Sequence, residues 1–465
     1  MLRALRLAAL TVFLLFVATG CATLPDAQAL IEHHAGQAAR FENARGPLSA
    51  QKSAAILARL KQKSGDIDIL EKQIALEQAI VGSPLILGNK VTLLQDGAAT
   101  YAAMFAAIRK ARDHINLESY IIEDDAAGQQ FADLLLQSQG RGVQVNIIYD
   151  SVGAINTPKA FFERLQQAGI AVLEFNPVNP LNAKTPWLLN NRDHRKILIV
   201  DGQTAFIGGI NISSVYSSGS IIHRNDKKAA PATPGSAPWR DTDLQLDGPV
   251  VGELQKLFMQ TWERQRGKAL APKDYFPVLQ ARGTDMVRAI GSSYDDAYSL
   301  IYLTLISAIG NAQKQVYMTN AYFVPDPQLL KALTDASARG VDVRLILPGK
   351  SDSELVFHAG RSHYTGLLQG GVKLYERKGA LLHAKTAVID GVWSSVGSTN
   401  LDWRSFLDND EVNAVILGRE FAQKMQAVFA QDLAASQAIA LEAWERRPLL
   451  LRLKEWMARV WGRLL

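Results

Sequence analysis

The amino-acid sequence predicts an α/β protein made of two related halves. Strands alternate with helices from about residue 87 onward, the pattern of an α/β sheet. The same order of elements returns after about residue 299. A pattern of histidine, lysine, aspartate, glycine and asparagine occurs twice, 189 residues apart.

Composition sets the outer bounds. The chain has 465 residues, 48% hydrophobic and 20% charged. That is globular composition and excludes a wholly disordered, collagen-like or coiled-coil protein. The length is about three times the ~150-residue expectation for one domain. Lys plus Arg is 50 against 45 Asp plus Glu, a formal charge of +5. The excess is small for a protein that lives on non-specific contacts to a polyanion. Cys21 is the single cysteine, so neither an intramolecular disulfide nor a cysteine metal site is available.

Residues 1–21 read as an address. Arg3 and Arg6 precede an apolar run, Leu7 to Val17, broken only by Thr11; small residues then lead to Cys21. The run falls short of the ~20 residues of a comfortable membrane span. Ala18-Thr19-Gly20-Cys21 resembles a bacterial lipobox with Ala in place of the usual Leu. The resemblance implies acylation of Cys21 and a lipoprotein anchored in the cell envelope on the periplasmic side. Ala22, where an Asp would mark inner-membrane retention, favours the outer membrane. Ordinary secretion or an uncleaved anchor is the alternative. The expected division is a signal peptide at 1–20 and an N-terminal helical spacer, packed as an appendage, at 21–85. Two α/β halves follow at 86–270 and 271–432, then an amphipathic helix at 433–465.

Each element follows from periodicity. In the first half we expect a helix over residues 101–112, a strand over 114–122 and a helix over 129–140. A buried strand over 143–150, a helix over 161–169 and a strand over 170–175 follow. The segments 196–200 and 204–207 form a strand pair around Asp201-Gly202. The second half repeats this with helix 299–312, strand 315–322, helix 329–339, strand 341–347, and strands near 371–375 and 385–389. Residues 213–238, rich in Ser, Pro and Gly, read as a mobile surface loop beside the first motif.

The chemistry lies in the repeated pattern. The first copy is His194, Lys196 and Asp201, then Gly208, Gly209 and Asn211. The second is His383, Lys385 and Asp390, then Gly397, Ser398 and Asn400. Lys and Asp at set offsets follow a given His about once in 400 by chance. Two copies with the same Gly and Asn spacing exclude accident. On a strand, residues i and i+2 share a face, so His and Lys project together while Arg195 or Ala384 faces away. An apolar run then crosses the sheet to a turn at Asp-Gly. The glycines permit close backbone approach, and the Asn amides can donate hydrogen bonds. Two such half-sites facing one another make a pocket for a phosphodiester. Lys196, Lys385, Asn211 and Asn400 stabilise its non-bridging oxygens. The imidazoles supply a nucleophile and a proton donor. No cofactor is called for, and no obligatory metal, because the lysines bring the positive charge.

A nucleophilic imidazole needs a carboxylate on its other nitrogen. Asp241 and Glu411 lie at comparable places after the two motifs, with Asp243 and Asp410 as alternatives.

The duplicated motif resembles the phospholipase D superfamily, known for paired HKD motifs. Phrases such as Leu117-Glu118-Ser119-Tyr120 and Ser398-Thr399-Asn400-Leu401-Asp402 are most similar to the bacterial cardiolipin synthase branch. The resemblance implies a phospholipase D-like fold of two pseudo-twofold-related halves, each with a mixed or mostly parallel sheet, and one active site at their interface. It implies a phosphohistidine intermediate and metal independence. On that basis His194 is the nucleophile and His383 the general acid, with roles open to reversal. Asp201 and Asp390 hold the motif turns and lysines in place.

The expected activity is phosphatidyl transfer, two phosphatidylglycerols giving cardiolipin and glycerol. Alternatives are a phospholipase D making phosphatidic acid, a secreted metal-independent nuclease and a non-catalytic lipid-binding lipoprotein. Nucleic acid is disfavoured by the modest charge. Leu449, Leu453, Trp456, Met457, Val460 and Leu464 share one face of a C-terminal helix, with arginines on another. That pattern suits a second membrane contact.

Overall fold

The computed structural model describes residues 24–33, 39–64, 73–75, 77–78, 82–186, 188–217 and 238–464. The signal segment, Cys21 and most of the predicted loop, 218–237, lie outside the described residues.

The strand order in the first half runs Ala171–Phe175, Gln144–Asp150, His114–Ser119, Lys196–Val200, Thr204–Gly208, Thr242–Asp247, Leu85–Gln95. The first three are parallel and every later pairing is antiparallel, so the sheet is mixed. The second half repeats the order with Lys373–Arg377, Asp342–Pro348, Gln315–Asn320, Lys385–Ile389, Trp393–Gly397, Asn409–Leu417, Asp285–Ser292. The last strands of the two halves, Leu85–Gln95 and Asp285–Ser292, pair antiparallel and join both sheets into one. The helices before and between the parallel strands, Asp96–Lys110, Ala126–Gly140 and Lys159–Gln167, cover the first half's outer face.

Alternation along the motif strand shows how the halves meet. Leu198 and Val200 face the first half's helices, while Ile197 and Ile199 join an apolar core shared with Val287, Val388 and Val412 of the second half. This core between the sheets is fully buried and fixes the halves against each other.

At the far end of each motif strand the chain turns through Asp-Gly in the left-handed region: φ is 52° at Asp201 and 60° at Gly202, 52° at Asp390 and 65° at Gly391. Such a turn favours Gly and tolerates Asp. The Asp201 carboxylate accepts backbone N–H bonds from Arg112, Asp113 and His114. That of Asp390 accepts them from Gln313, Lys314 and Gln315. Each aspartate ties its hairpin to the start of the neighbouring strand. The five-residue strands put these carboxylates roughly 17 Å from the histidine end. The expectation that they hold the lysines is therefore corrected: they hold the turns alone.

The N-terminal region is more than a helical spacer. Ala50–Ser64 is helical as expected, but Phe41–Asn43 and Gly46–Pro47 form a hairpin, and Phe41 pairs in parallel with Leu85. Leu24, Ala27, Phe41, Leu60 and Ile74 are buried in the second half's core. Trp393 Nε1 donates to Glu77 Oε1 at 3.0 Å. Within the predicted spacer, residues 34–38, 65–72, 76 and 79–81 lie outside the described residues. Among the described residues no helix is long and apolar enough to cross a membrane.

Candidate active site

Each histidine is laid beside a strand of the opposite half. Arg192–Asp193 pairs in parallel with Asn409–Asp410, and the His194 backbone N–H donates to Asp410 O at 2.9 Å. Leu381–Leu382 pairs in parallel with Trp239–Arg240, and the His383 N–H donates to Arg240 O at 2.8 Å. The next residue on each guiding strand is the carboxylate. His194 Nδ1 lies 3.0 and 3.1 Å from the two oxygens of Glu411, and His383 Nδ1 lies 2.7 Å from Asp241 Oδ2. The orienting groups are thus exchanged between halves. Asp410 instead bonds Arg264 and Ser293 Oγ, and Asp243 accepts the Ile210 N–H at 3.1 Å.

The lysines mirror one another. Lys196 Nζ donates to His194 O, and Lys385 Nζ to His383 O, each at 2.5 Å. His194, His383, Lys196 and Lys385 are all buried. Burial, aided by the neighbouring ammonium groups, lowers the His194 and His383 imidazoles to about 4 against the pull of Glu411 and Asp241. Burial likewise brings Lys196 down to about 7 and Lys385 to about 8. For Glu411 burial works upward, but His194, Lys196 and a hydrogen bond from Ser398 outweigh it and lower the carboxyl to about 2. At neutral pH His194 is a neutral imidazole against an ionised carboxylate. A carboxylate only accepts, so Nδ1 carries the proton and Nε2 keeps its lone pair.

The small residues after each motif strand serve the carboxylates. A Cβ on Gly209 would stand 2.2 Å from Asp241 Oδ1, and one on Gly208 would stand 1.9 Å from Asp243 Oδ1. Gly209 makes room for the carboxylate behind His383, and Gly208 for Asp243. At the equivalent of Gly209, Ser398 Oγ donates to Glu411 Oε2. The two asparagines also differ. Asn211 Oδ1 accepts the Ile121 N–H at 3.1 Å and its Nδ2 donates to Tyr216 Oη at 3.0 Å. Asn400 Oδ1 is buried with no partner among the described residues.

Sequence reading missed the aromatic wall. Tyr120 lies 5.1 Å from the His194 ring; Tyr216, Trp239 and Tyr322 lie 5.7, 5.2 and 6.1 Å from that of His383. Only Trp239, two residues before Asp241, carried a signal in the chain; Tyr120 and Tyr322 carried none. Arg195, which faces away as expected, donates to Glu411 O at 3.1 Å, Thr261 Oγ1 at 2.8 Å and Ser292 O at 3.0 Å. It holds the Glu411 strand from behind.

Two facing half-sites with neutral imidazoles, lysines and exchanged carboxylates define a pocket for phosphodiester chemistry. The overall fold is similar to that of the phosphatidylserine synthase of Haemophilus influenzae, with a TM-score of 0.60 and 14% identity; the match covers 85% of this chain and 100% of that one. A family model described as cardiolipin synthase, PLD-like domain, matches residues 104–218 and 305–433. The cardiolipin synthase of Geobacillus kaustophilus is 35% identical over 387 residues, 82% of this chain and 74% of its own. That of Alkalihalophilus pseudofirmus is 34% identical over 412 residues, 88% of this chain and 78% of its own. The chain belongs to the cardiolipin synthase family of phospholipase D-like phosphatidyltransferases.

These relatives correct the expected location. They are named cardiolipin synthases of bacilli, nothing in them supports a periplasmic outer-membrane lipoprotein, and that assignment does not stand.

Proposed function

We propose that the chain transfers a phosphatidyl group from one phosphatidylglycerol to another through a phosphohistidine at His194, releasing glycerol and forming cardiolipin. His194 Nε2 attacks phosphorus, forming the P–N bond as the bond to the glycerol headgroup oxygen breaks. His383 gives its Nε2 proton to that oxygen. The hydroxyl of a second phosphatidylglycerol then attacks, His383 takes its proton, and the P–N bond breaks. With water as acceptor the product is phosphatidic acid. Lys196, Lys385 and the Asn400 amide stabilise the non-bridging oxygens as charge develops. Glu411 and Asp241 orient the imidazoles. Residues 86–270 and 271–432 act as one catalytic unit, because each half supplies the other's carboxylate.

The observation that carries this reading is the pair of buried imidazoles, each held at Nδ1 by a carboxylate of the opposite half. The test is purified protein with phosphatidylglycerol vesicles in EDTA, with products read by lipid mass spectrometry. Cardiolipin that disappears in both His194→Ala and His383→Ala is expected; no lipid turnover by the wild type contradicts the reading. Membrane attachment through an acylated Cys21 belongs to the same proposal. Its check is acyl-chain labelling of the wild type that is lost in Cys21→Ala.

A further inference from the structure

The C-terminal helix, Leu449–Val460, lies on the body the wrong way round for a soluble protein. Its inward stripe is narrow and partly charged: Glu455, Ala458 and then Gly462 are buried. Glu455 accepts from Arg447 Nε at 2.9 Å and Nη2 at 2.8 Å, a salt bridge beneath the helix. The face opposite that stripe is apolar and open: Leu449 is 77% exposed, Trp456 64%, Val460 69% and Leu464 69%, with Leu453 and Met457 between them. An ordinary surface helix buries such a face and exposes its charges. Here Arg452, Arg459 and Arg463 flank the apolar face on one side and Lys454 on the other. The only acidic side chain of the helix is the buried Glu455.

The helix is linked to the active-site wall through one intervening helix. It packs on helix Glu354–Arg361, which packs on strand Phe323–Val324, directly after Tyr322 of the aromatic wall. Gly462 abuts Val324, and the Arg463 guanidinium lies 5.1 Å above the Trp403 ring, just past Asn400 and Asp402. The neighbouring side chain, Arg404, donates to Asn190 O in the loop that enters the first motif. That loop carries Leu181, 90% exposed, and Leu189, 42% exposed. Open apolar side chains of both halves thus lie on segments that lead to the site.

We propose that this face is the docking surface for an anionic phospholipid bilayer, with the active-site mouth pressed against the headgroups. This rests on the phosphatidyl-transfer reading for its purpose, but the binding is a separate property. Trp and Leu sink to the acyl boundary while the flanking arginines and Lys454 meet anionic headgroups, a complement that a second copy of this equally basic helix does not offer. The N-terminal segment then serves as a tether, and the C-terminal helix sets orientation.

The test uses the full chain on phosphatidylcholine vesicles with and without phosphatidylglycerol whose acyl chains carry bromine. Fluorescence quenching that depends on phosphatidylglycerol and falls in Trp456→Phe is expected, because it reads the helix itself whatever the tether does. A Leu453→Glu/Trp456→Glu variant should lose at least about tenfold in turnover of vesicle phosphatidylglycerol. It should keep its rate on a short-chain, water-soluble phosphatidylglycerol. Equal quenching in wild type and Trp456→Phe overturns the proposal. So does a dimer, seen by analytical ultracentrifugation, that the double variant dissolves while vesicle turnover stays unchanged. Failure of the transfer reading shows differently: quenching persists while no cardiolipin forms.

Discussion

In the first half-site, His194 directs Nδ1 between the two oxygens of Glu411, which also receives the Ser398 hydroxyl. In the second, His383 Nδ1 faces Asp241 Oδ2 at 2.7 Å and also Lys385 Nζ at 2.9 Å, with Tyr216 Oη at 3.4 Å. The chain path is the same in both; the surroundings of Nδ1 are not. A lone carboxylate fixes one tautomer and leaves His194 Nε2 a nucleophile. Beside His383 Nδ1 an ammonium stands next to the carboxylate. Asp241 still calls for a proton on Nδ1, so the acid form is the imidazolium, which carries a second proton on Nε2 and is favoured by Asp241 and the charge of a bound phosphodiester. A duplicated fold thus supplies two unlike imidazoles through second neighbours alone.

Removing the imidazoles breaks the comparison most sharply. His194→Ala should cost about four or more orders of magnitude in kcat and abolish the phosphoenzyme. His383→Ala should still form phosphoenzyme from a p-nitrophenyl phosphodiester, whose leaving group needs no proton. Burst kinetics distinguish the two.

Next come the carboxylates and their room. Glu411→Gln and Asp241→Asn should each cost about a hundredfold in kcat/KM. Only Asp241→Asn should be relieved by the better leaving group. Exchanging the small residues sharpens the contrast. Gly209→Ser drives a side chain into Asp241 and should approach the Asp241→Asn loss. Ser398→Gly removes one hydrogen bond to Glu411 and should cost no more than about tenfold.

The pH profile tests the shared electrostatics. The His194 imidazole is lowered to about 4, so the neutral nucleophile persists well into acid and its protonation should lower kcat/KM only near pH 4. The lysines are lowered to about 7 and 8, so charge is lost early and activity should decline above pH 7 to 8. Lys196→Arg should move the alkaline limb upward.

The smallest catalytic effect should come from the turn aspartates. Asp201→Ala and Asp390→Ala each release backbone N–H groups far from the pocket. They should lower Tm by several degrees, read by calorimetry, while kcat stays within a few-fold.

The motif and its duplication were legible because the 189-residue offset survives in residues that chemistry constrains. The alternating elements were legible from period, with ends off by a few residues: the strand expected over 114–122 stops at Ser119. The exchange of Glu411 and Asp241 was not legible. It depends on short parallel pairings between segments some 217 and 142 residues apart, His194 with Glu411 and His383 with Asp241. No local pattern encodes them. The aromatic wall was hidden for the same reason, since Tyr120 and Tyr322 enter the site from strand ends. The packing of Gly209 against Asp241 was not legible, because a glycine that makes room for a carboxylate looks, in sequence, like one that makes room for a phosphate.

The central claim is that the two imidazoles are unlike and that His194 is the one that becomes covalent. The direct measurement is rapid quench with phosphorus-labelled phosphatidylglycerol, followed by digestion at alkaline pH and mapping of the labelled phosphopeptide. Label is expected on the peptide containing His194 and none on that containing His383. Label on His383 would contradict it and reverse the roles of the two half-sites.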